Sequence, residues 1–265
     1  MIVSLPMYDW TECEHLTNAW WRGIRQELIK QGLTSVPKSL LRTRSDSDAW
    51  RMPDLLLSQT CGYPLTHDYA NDLTLVATPD YRVEGCANYQ YQSLILCHDR
   101  SPNLTLAEFK GSTATINDVA SQSGFSAFRH SIAPLAQGAA FFERVTISGG
   151  HRYSMAALQS GDADICAVDP ESFALAKRYV PGLTQNLRIV TTTAPAPCLP
   201  YVTHASSQEV ARLQHALFEA CENPALEDVR EQLFIGDFTF SSRSDYERIL
   251  DMENDAIALH YPDLT

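Results

Sequence analysis

An α/β fold of two lobes, each a mainly parallel sheet flanked by helices, is what this sequence predicts, and three observations carry it. Strand-like and helix-like patterns alternate along nearly the whole chain, the order that buries a sheet between helices. Short runs such as Leu55-Leu56-Leu57 are apolar without alternation, as strands covered on both faces are. The pattern also restarts twice, near Cys97–Pro102 and near Thr192–Pro197. Two restarts predict one lobe inserted into the other: residues 1–97 with 197–265, and residues 98–196 between them.

The elements follow in order. Ile2–Pro6 reads as a short apolar strand. Thr11–Lys30 sets Leu16, Ala19, Trp20, Ile24, Leu28 and Ile29 close to helical spacing, and Gly32 supplies the stop. Val36–Leu41 and Asp54–Ser58 read as strands, the second running into the polar turn Gln59–Pro64. Leu73–Ala77 and Ser93–Cys97 are the next two. After the first restart come a short helix at Leu106–Lys110, a strand at Thr113–Asn117, and a helix beginning near Ser121–Gly124. Strands at Arg144–Ser148, Asp164–Val168 and Leu187–Thr193 then alternate with helices at Tyr153–Ser160 and Ser172–Tyr179. A strand at Leu199–Thr203 and helices at Ser206–Cys221, Ala225–Phe234 and Ser244–Ala258 follow. Trp20, Trp21 and Trp50 are expected in the interior.

Composition narrows the function. A chain of 265 residues with 45% hydrophobic and 20% charged residues is of the globular class. The net charge of −12 excludes a nucleic-acid groove, which needs a basic stripe against phosphates. It leaves room for a small anion held by a few N–H and O–H donors. No run reaches the length of a membrane-spanning helix, so membrane insertion is not expected. The opening Met-Ile-Val-Ser-Leu-Pro lacks the pattern of an export signal, so a cytoplasmic location is expected, or a periplasmic one where a signal has been removed. The seven cysteines are odd in number and show no C-x-x-C spacing, which predicts reduced, mostly buried thiols. The histidines lack metal-ligand spacing, and no Walker A, G-x-S-x-G or dinucleotide fingerprint occurs; neither metal nor cofactor is expected.

In sheets of this kind ligands gather at the carboxyl ends of strands. The polar residues that follow the expected strands are Tyr8-Asp9, Gln59-Thr60, Tyr89 and Tyr91, Ser121 and Ser123, His151 and Asp169. Ser121-Gln122-Ser123-Gly124 has two readings. It is an ordinary helix cap, serine being a preferred capping residue, or it is an anion seat, since a helix start leaves backbone N–H groups without intrahelical partners. His151 after two glycines is a cap or a donor, and Asp169 before Pro170 is an N-cap or a ligand group.

These residues resemble a family. Thr115–Gly124, Ser148-Gly149-Gly150-His151 and Gly161–Asp169 are similar, in that order, to segments of phosphate/phosphonate ABC-transporter substrate-binding proteins. Asp54–Leu65 and Gly85–Ser93 are similar to the branch related to the phosphonate-binding component. The resemblance implies a type II periplasmic-binding-protein-like, transferrin-like fold with a ligand cleft between the lobes. It implies a small oxyanion, phosphate or phosphonate-like, held by Ser121, Gln122, Ser123 and Gly124, with His151 as a further donor. Tyr8, Thr60 and Tyr91 would close over the ligand, and Asp169 lies near where the family places a carboxylate for a ligand amino group. The partner it implies is an ABC-transporter permease. Gln122 departs from the pattern, standing where a hydroxyl residue is common. The function expected is therefore non-catalytic solute binding. An enzyme, with Asp169 or His151 moving a proton, or a ligand sensor on the same scaffold is the alternative.

Overall fold

Leucine, tryptophan and phenylalanine side chains gather into two separate interiors, and the chain passes between them several times. The computed structural model describes residues 1–43 and 45–264. One compact unit comprises Met1–Arg82, Ala87–Tyr89 and Pro197–Asp245; the other comprises Val83–Cys86, Gln90–Ala196 and the chain from Tyr246 onward.

In the first unit the helix Glu14–Lys30 buries one face, Leu16, Trp20, Trp21, Ile24 and Leu28. Trp20 is held both by apolar contact and by polarity. Its ring stacks on Phe238 with centroids 6.3 Å apart, and its Nε1–H donates to the Tyr201 hydroxyl at 3.2 Å. Beside it lies a five-stranded sheet in the order Ile2–Ser4, Leu55–Gln59, Tyr201–Thr203, Thr74–Tyr81, Ile235–Thr239. Only the first two strands run parallel; the other pairings are antiparallel.

The second unit holds a sheet in the order Leu187–Thr192, Leu94–His98, Ile165–Val168, Thr113–Ile116, Arg144–Ile147. Its last three strands are mutually parallel neighbours, while Leu94–His98 is antiparallel to both strands beside it. Phe109, Phe125, Phe128, Phe141 and Phe142 fill the core with Ile95, Ile116 and Ile165. Ala256, Tyr261 and Leu264 complete it.

Several expectations need correction. The sheets are mixed, not mainly parallel. Leu55–Gln59 is buried at every position, but burial on both faces reports where a strand lies in a sheet and not which way its neighbours run. Val36–Leu41 forms no strand. Pro37 has no N–H to offer a ladder, and the carbonyls of Val36 and Pro37 are taken by Arg25 and Trp21 from the first helix. The expected helix Ala225–Phe234 ends at Gln232, and the strand Ile235–Thr239 that follows was not foreseen. The division 1–97 with 197–265 against 98–196 also shifts. Leu94–His98 is a central strand of the second sheet, and the C-terminal helix Glu247–Ala258 buries Ala256 in the second core.

Candidate functional site

Three parallel strands side by side bring three successive loops to one edge of the second sheet. Thr113–Ile116 lies between the other two, so the loop after it is central. The loop after Arg144–Ile147 leads to His151, and Ile165–Val168 ends directly at Asp169. The topology thus assembles Ser121–Gly124, His151 and Asp169 from residues nearly fifty apart in sequence.

The central loop turns on Asp118, whose carboxylate accepts from the Ala120 N–H at 2.7 Å. Ser121 then caps a wide turn, Gln122–Ser126, closed by the Ser126 N–H donating to the Ser121 carbonyl at 2.9 Å. That five-residue step is a π-type turn, a form concentrated at functional sites. It continues as the helix Ala127–Ala136. The Ser121 Oγ accepts from the Gly124 N–H at 3.1 Å, so the capping reading of Ser121 holds. The first amides of the turn have no acceptor within the helix itself.

Gly124 leaves no room for a methyl group unless the Asn117 side chain moves. A methyl carbon there would stand 1.9 Å from Asn117 Oδ1 and 3.1 Å from His151 Cε1. The turn therefore presses directly on the end of its own strand and on the imidazole.

Ser121 Oγ and Ser123 Oγ lie 3.4 Å apart, and Ser123 Oγ is 2.8 Å from His151 Nε2. The same Nε2 is 3.2 Å from Asp169 Oδ2. The other oxygen of Asp169 accepts from the Ser172 N–H at 2.9 Å and caps the helix Pro170–Tyr179. Ser121, Ser123 and Asp169 are 4%, 3% and 3% exposed. Burial holds the His151 imidazole below its usual range, opposed by the Asp169 carboxylate and the Ala167 carbonyl. Ser148 is committed to structure, its Oγ bonded to the Ile116 and Gly150 carbonyls and to Ser154 Oγ.

The remaining named residues are placed as follows. Gln122 is fully buried, and its Nε2 donates to Met252 Sδ of the C-terminal helix at 3.1 Å. Its carboxamide is thus engaged with the C-terminal helix. Tyr91 belongs to the second unit and is 3% exposed. Tyr8 and Thr60 belong to the first unit. Tyr8 packs edge-on against Tyr81 at 5.3 Å, and the Thr60 hydroxyl donates to the Cys61 carbonyl at 3.2 Å.

Sequence reading missed three contributors: Asn117 under Gly124, the grip of the C-terminal helix through Met252, and Glu171. Arg129 adds to that grip, donating to the Pro262 carbonyl and pairing with Glu253 at 3.2 Å. Glu171 is 1% exposed beside Asp169, and its Oε2 has no hydrogen-bond partner among the described residues. Among the described residues no group of His, Cys, Asp and Glu is arranged to hold a metal ion. Among the described residues no disulfide joins the seven cysteines, and no helix is long and apolar enough to cross a membrane.

Comparison with known proteins gives a consistent picture. Residues 53–246 match the family described as the periplasmic substrate-binding protein of phosphonate ABC transporters. A search of curated proteins finds no match. Among solved structures, PhnD1 from Prochlorococcus marinus in complex with methylphosphonate is similar at a TM-score of 0.76 and 15% identity, covering 96% of each chain. A binding protein component of an ABC phosphonate transporter from Pseudomonas aeruginosa is similar at a TM-score of 0.77 and 14% identity, covering 98% of this chain and 87% of that one. A protein from Xanthomonas citri bound to ATP is similar at 0.71 and 13%, covering 98% and 97%. At these identities the structural likeness establishes the fold.

Proposed function

The chain belongs to the family of periplasmic substrate-binding proteins of phosphonate ABC transporters, and from that premise we propose that Ser121, Ser123 and their turn hold the tetrahedral end of a small oxyanion. The family is the substrate-binding component of the transporter and not a catalyst. Its role is to bind a solute. The ligand we propose is phosphate or a simple phosphonate, in line with the methylphosphonate complex of a structural neighbour. The periplasm is the location we propose, following the family, and a transporter permease is the proposed partner.

The observation that carries the reading is the convergence of Ser121 and Ser123, His151 and Asp169 at the carboxyl ends of three parallel strands. Neutral donors arranged in advance bind an oxyanion without a counter-charge, which suits a chain of net charge −12. The same geometry argues against a hydrolytic serine. Ser123 and Asp169 meet the same imidazole nitrogen, whereas a nucleophile relay needs them on opposite ones.

Titration calorimetry tests the reading. The unaltered chain is expected to bind methylphosphonate or inorganic phosphate. Ser121→Ala with Ser123→Ala is expected to weaken that binding by about 1–3 kcal/mol, the scale of lost hydrogen bonds to a charged group. Equal affinity in the double variant would reject the assignment.

A further inference from the structure

A single imidazole nitrogen sits between a carboxylate and a hydroxyl, and this fixes where the hydroxyl's hydrogen can go. Asp169 Oδ2, 3.2 Å from His151 Nε2, can only accept. A proton on Nε2 is therefore favoured there, because a lone pair at that position would face the carboxylate charge. The imidazolium form carries the same proton, so the conclusion does not depend on the ring's charge. Nε2–H is then a donor toward Ser123 Oγ at 2.8 Å as well. Ser123 accepts on that side, and its own hydrogen is left to point elsewhere.

We propose that Asp169 is a positioning residue, acting through His151 to turn the Ser123 O–H toward the bound oxyanion, and that the ligand therefore needs no cationic group. This rests on the reading of the turn as an oxyanion seat. Asp169 spends both oxygens within its own chain, Oδ2 on His151 and Oδ1 on the Ser172 N–H. Each oxygen keeps a second lone pair, but Asp169 is 3% exposed, so little of the carboxylate faces a ligand ammonium. What it does supply is direction: two acceptors on one N–H leave a serine hydroxyl able to donate to an anion. The substrate class that follows is an alkylphosphonate or phosphate, in preference to an aminoalkylphosphonate.

Asp169→Asn separates the possibilities while keeping the helix cap, since asparagine caps as aspartate does. Its carboxamide can turn an N–H toward His151, drawing the imidazole lone pair to Nε2. Ser123 then donates to the ring and withdraws its hydrogen from the ligand. Nitrogen-15 NMR of the unliganded protein is expected to find His151 protonated at Nε2 in the unaltered chain and at Nδ1 in Asp169→Asn. Calorimetry with methylphosphonate and aminomethylphosphonate supplies the second readout. Methylphosphonate is expected to bind at least as tightly as aminomethylphosphonate, and Asp169→Asn to weaken methylphosphonate by about tenfold or more with the melting temperature retained.

An Nδ1–H tautomer in the unaltered chain would overturn the relay. So would a preference for aminomethylphosphonate that disappears in Asp169→Asn while methylphosphonate binding stays the same. If neither phosphonate nor phosphate binds the unaltered chain, the oxyanion reading itself fails. The NMR measurement on the unliganded protein still decides the relay in that case.

Discussion

Gly124→Ala is expected to lower the stability of the second unit and to weaken ligand binding in one step. The added carbon would lie 1.9 Å from Asn117 Oδ1, 2.9 Å from Asn117 Cγ and 3.1 Å from His151 Cε1. Something has to move. Overpacking of this kind costs about 1–3 kcal/mol, and any retreat of the imidazole lengthens its 2.8 Å contact with Ser123. Adding Asn117→Ala removes the two nearest atoms. The double variant is expected to recover part of the lost stability, which identifies the clash as the cause. Binding is expected to return less fully, because the His151 contact at 3.1 Å remains. Chemical denaturation and calorimetry with methylphosphonate check both halves, and an unchanged Gly124→Ala protein would refute the geometry of the turn.

Glu171→Gln is expected to stabilise the protein at neutral and alkaline pH. Burial pushes the Glu171 carboxyl well above its usual range, and the neighbouring Asp169 and Cys86 push the same way against Arg178. The folded state therefore holds a proton that the unfolded chain releases near the ordinary glutamate value, about 4.3. The stability this provides is complete below that value and is lost as pH rises through the folded-state one. Glutamine stays neutral throughout. The gap in melting temperature between variant and parent should open as pH rises and close near pH 4. His151 works in the opposite direction. Burial lowers its value, so its contribution is present above about 6.5 and declines as pH falls below that. Comparing Glu171→Gln with its parent cancels the histidine effect. Melting curves without a pH-dependent gap would show that Glu171 is not held as the neutral acid.

The turn and the caps around it were legible in the sequence because each is local. A serine cap, a glycine and a strand of β-branched residues announce the turn at 121–124. Gly149 before His151 has φ +88, the left-handed backbone that glycine adopts most freely. Asp169 before Pro170 reads directly as the N-cap that it is. What could not be read was partnership at a distance. Gln122 and Met252 are 130 residues apart, and no spacing rule joins an amide to a thioether across that interval. Strand direction was illegible for a related reason: Leu55–Gln59 carries the same apolar run whichever way its neighbours lie. The strand Ile235–Thr239 was hidden because the helical pattern runs up to Phe234, and the break there is a positive φ on a phenylalanine that composition does not advertise.

The placement of the C-terminal helix has a consequence for how the protein is made. Residues 197–245 finish the first unit, and the second unit, begun at residue 83, still lacks its last helix at that moment. Met252 under Gln122, Glu253 on Arg129, and Ala256, Tyr261 and Leu264 in the core all leave the ribosome later. The proposed anion seat therefore gains part of its packing more than a hundred residues after its serines are translated. Synthesis must run through Met252, Glu253 and Ala256 before the turn at 121–126 and the core beneath it have their full packing.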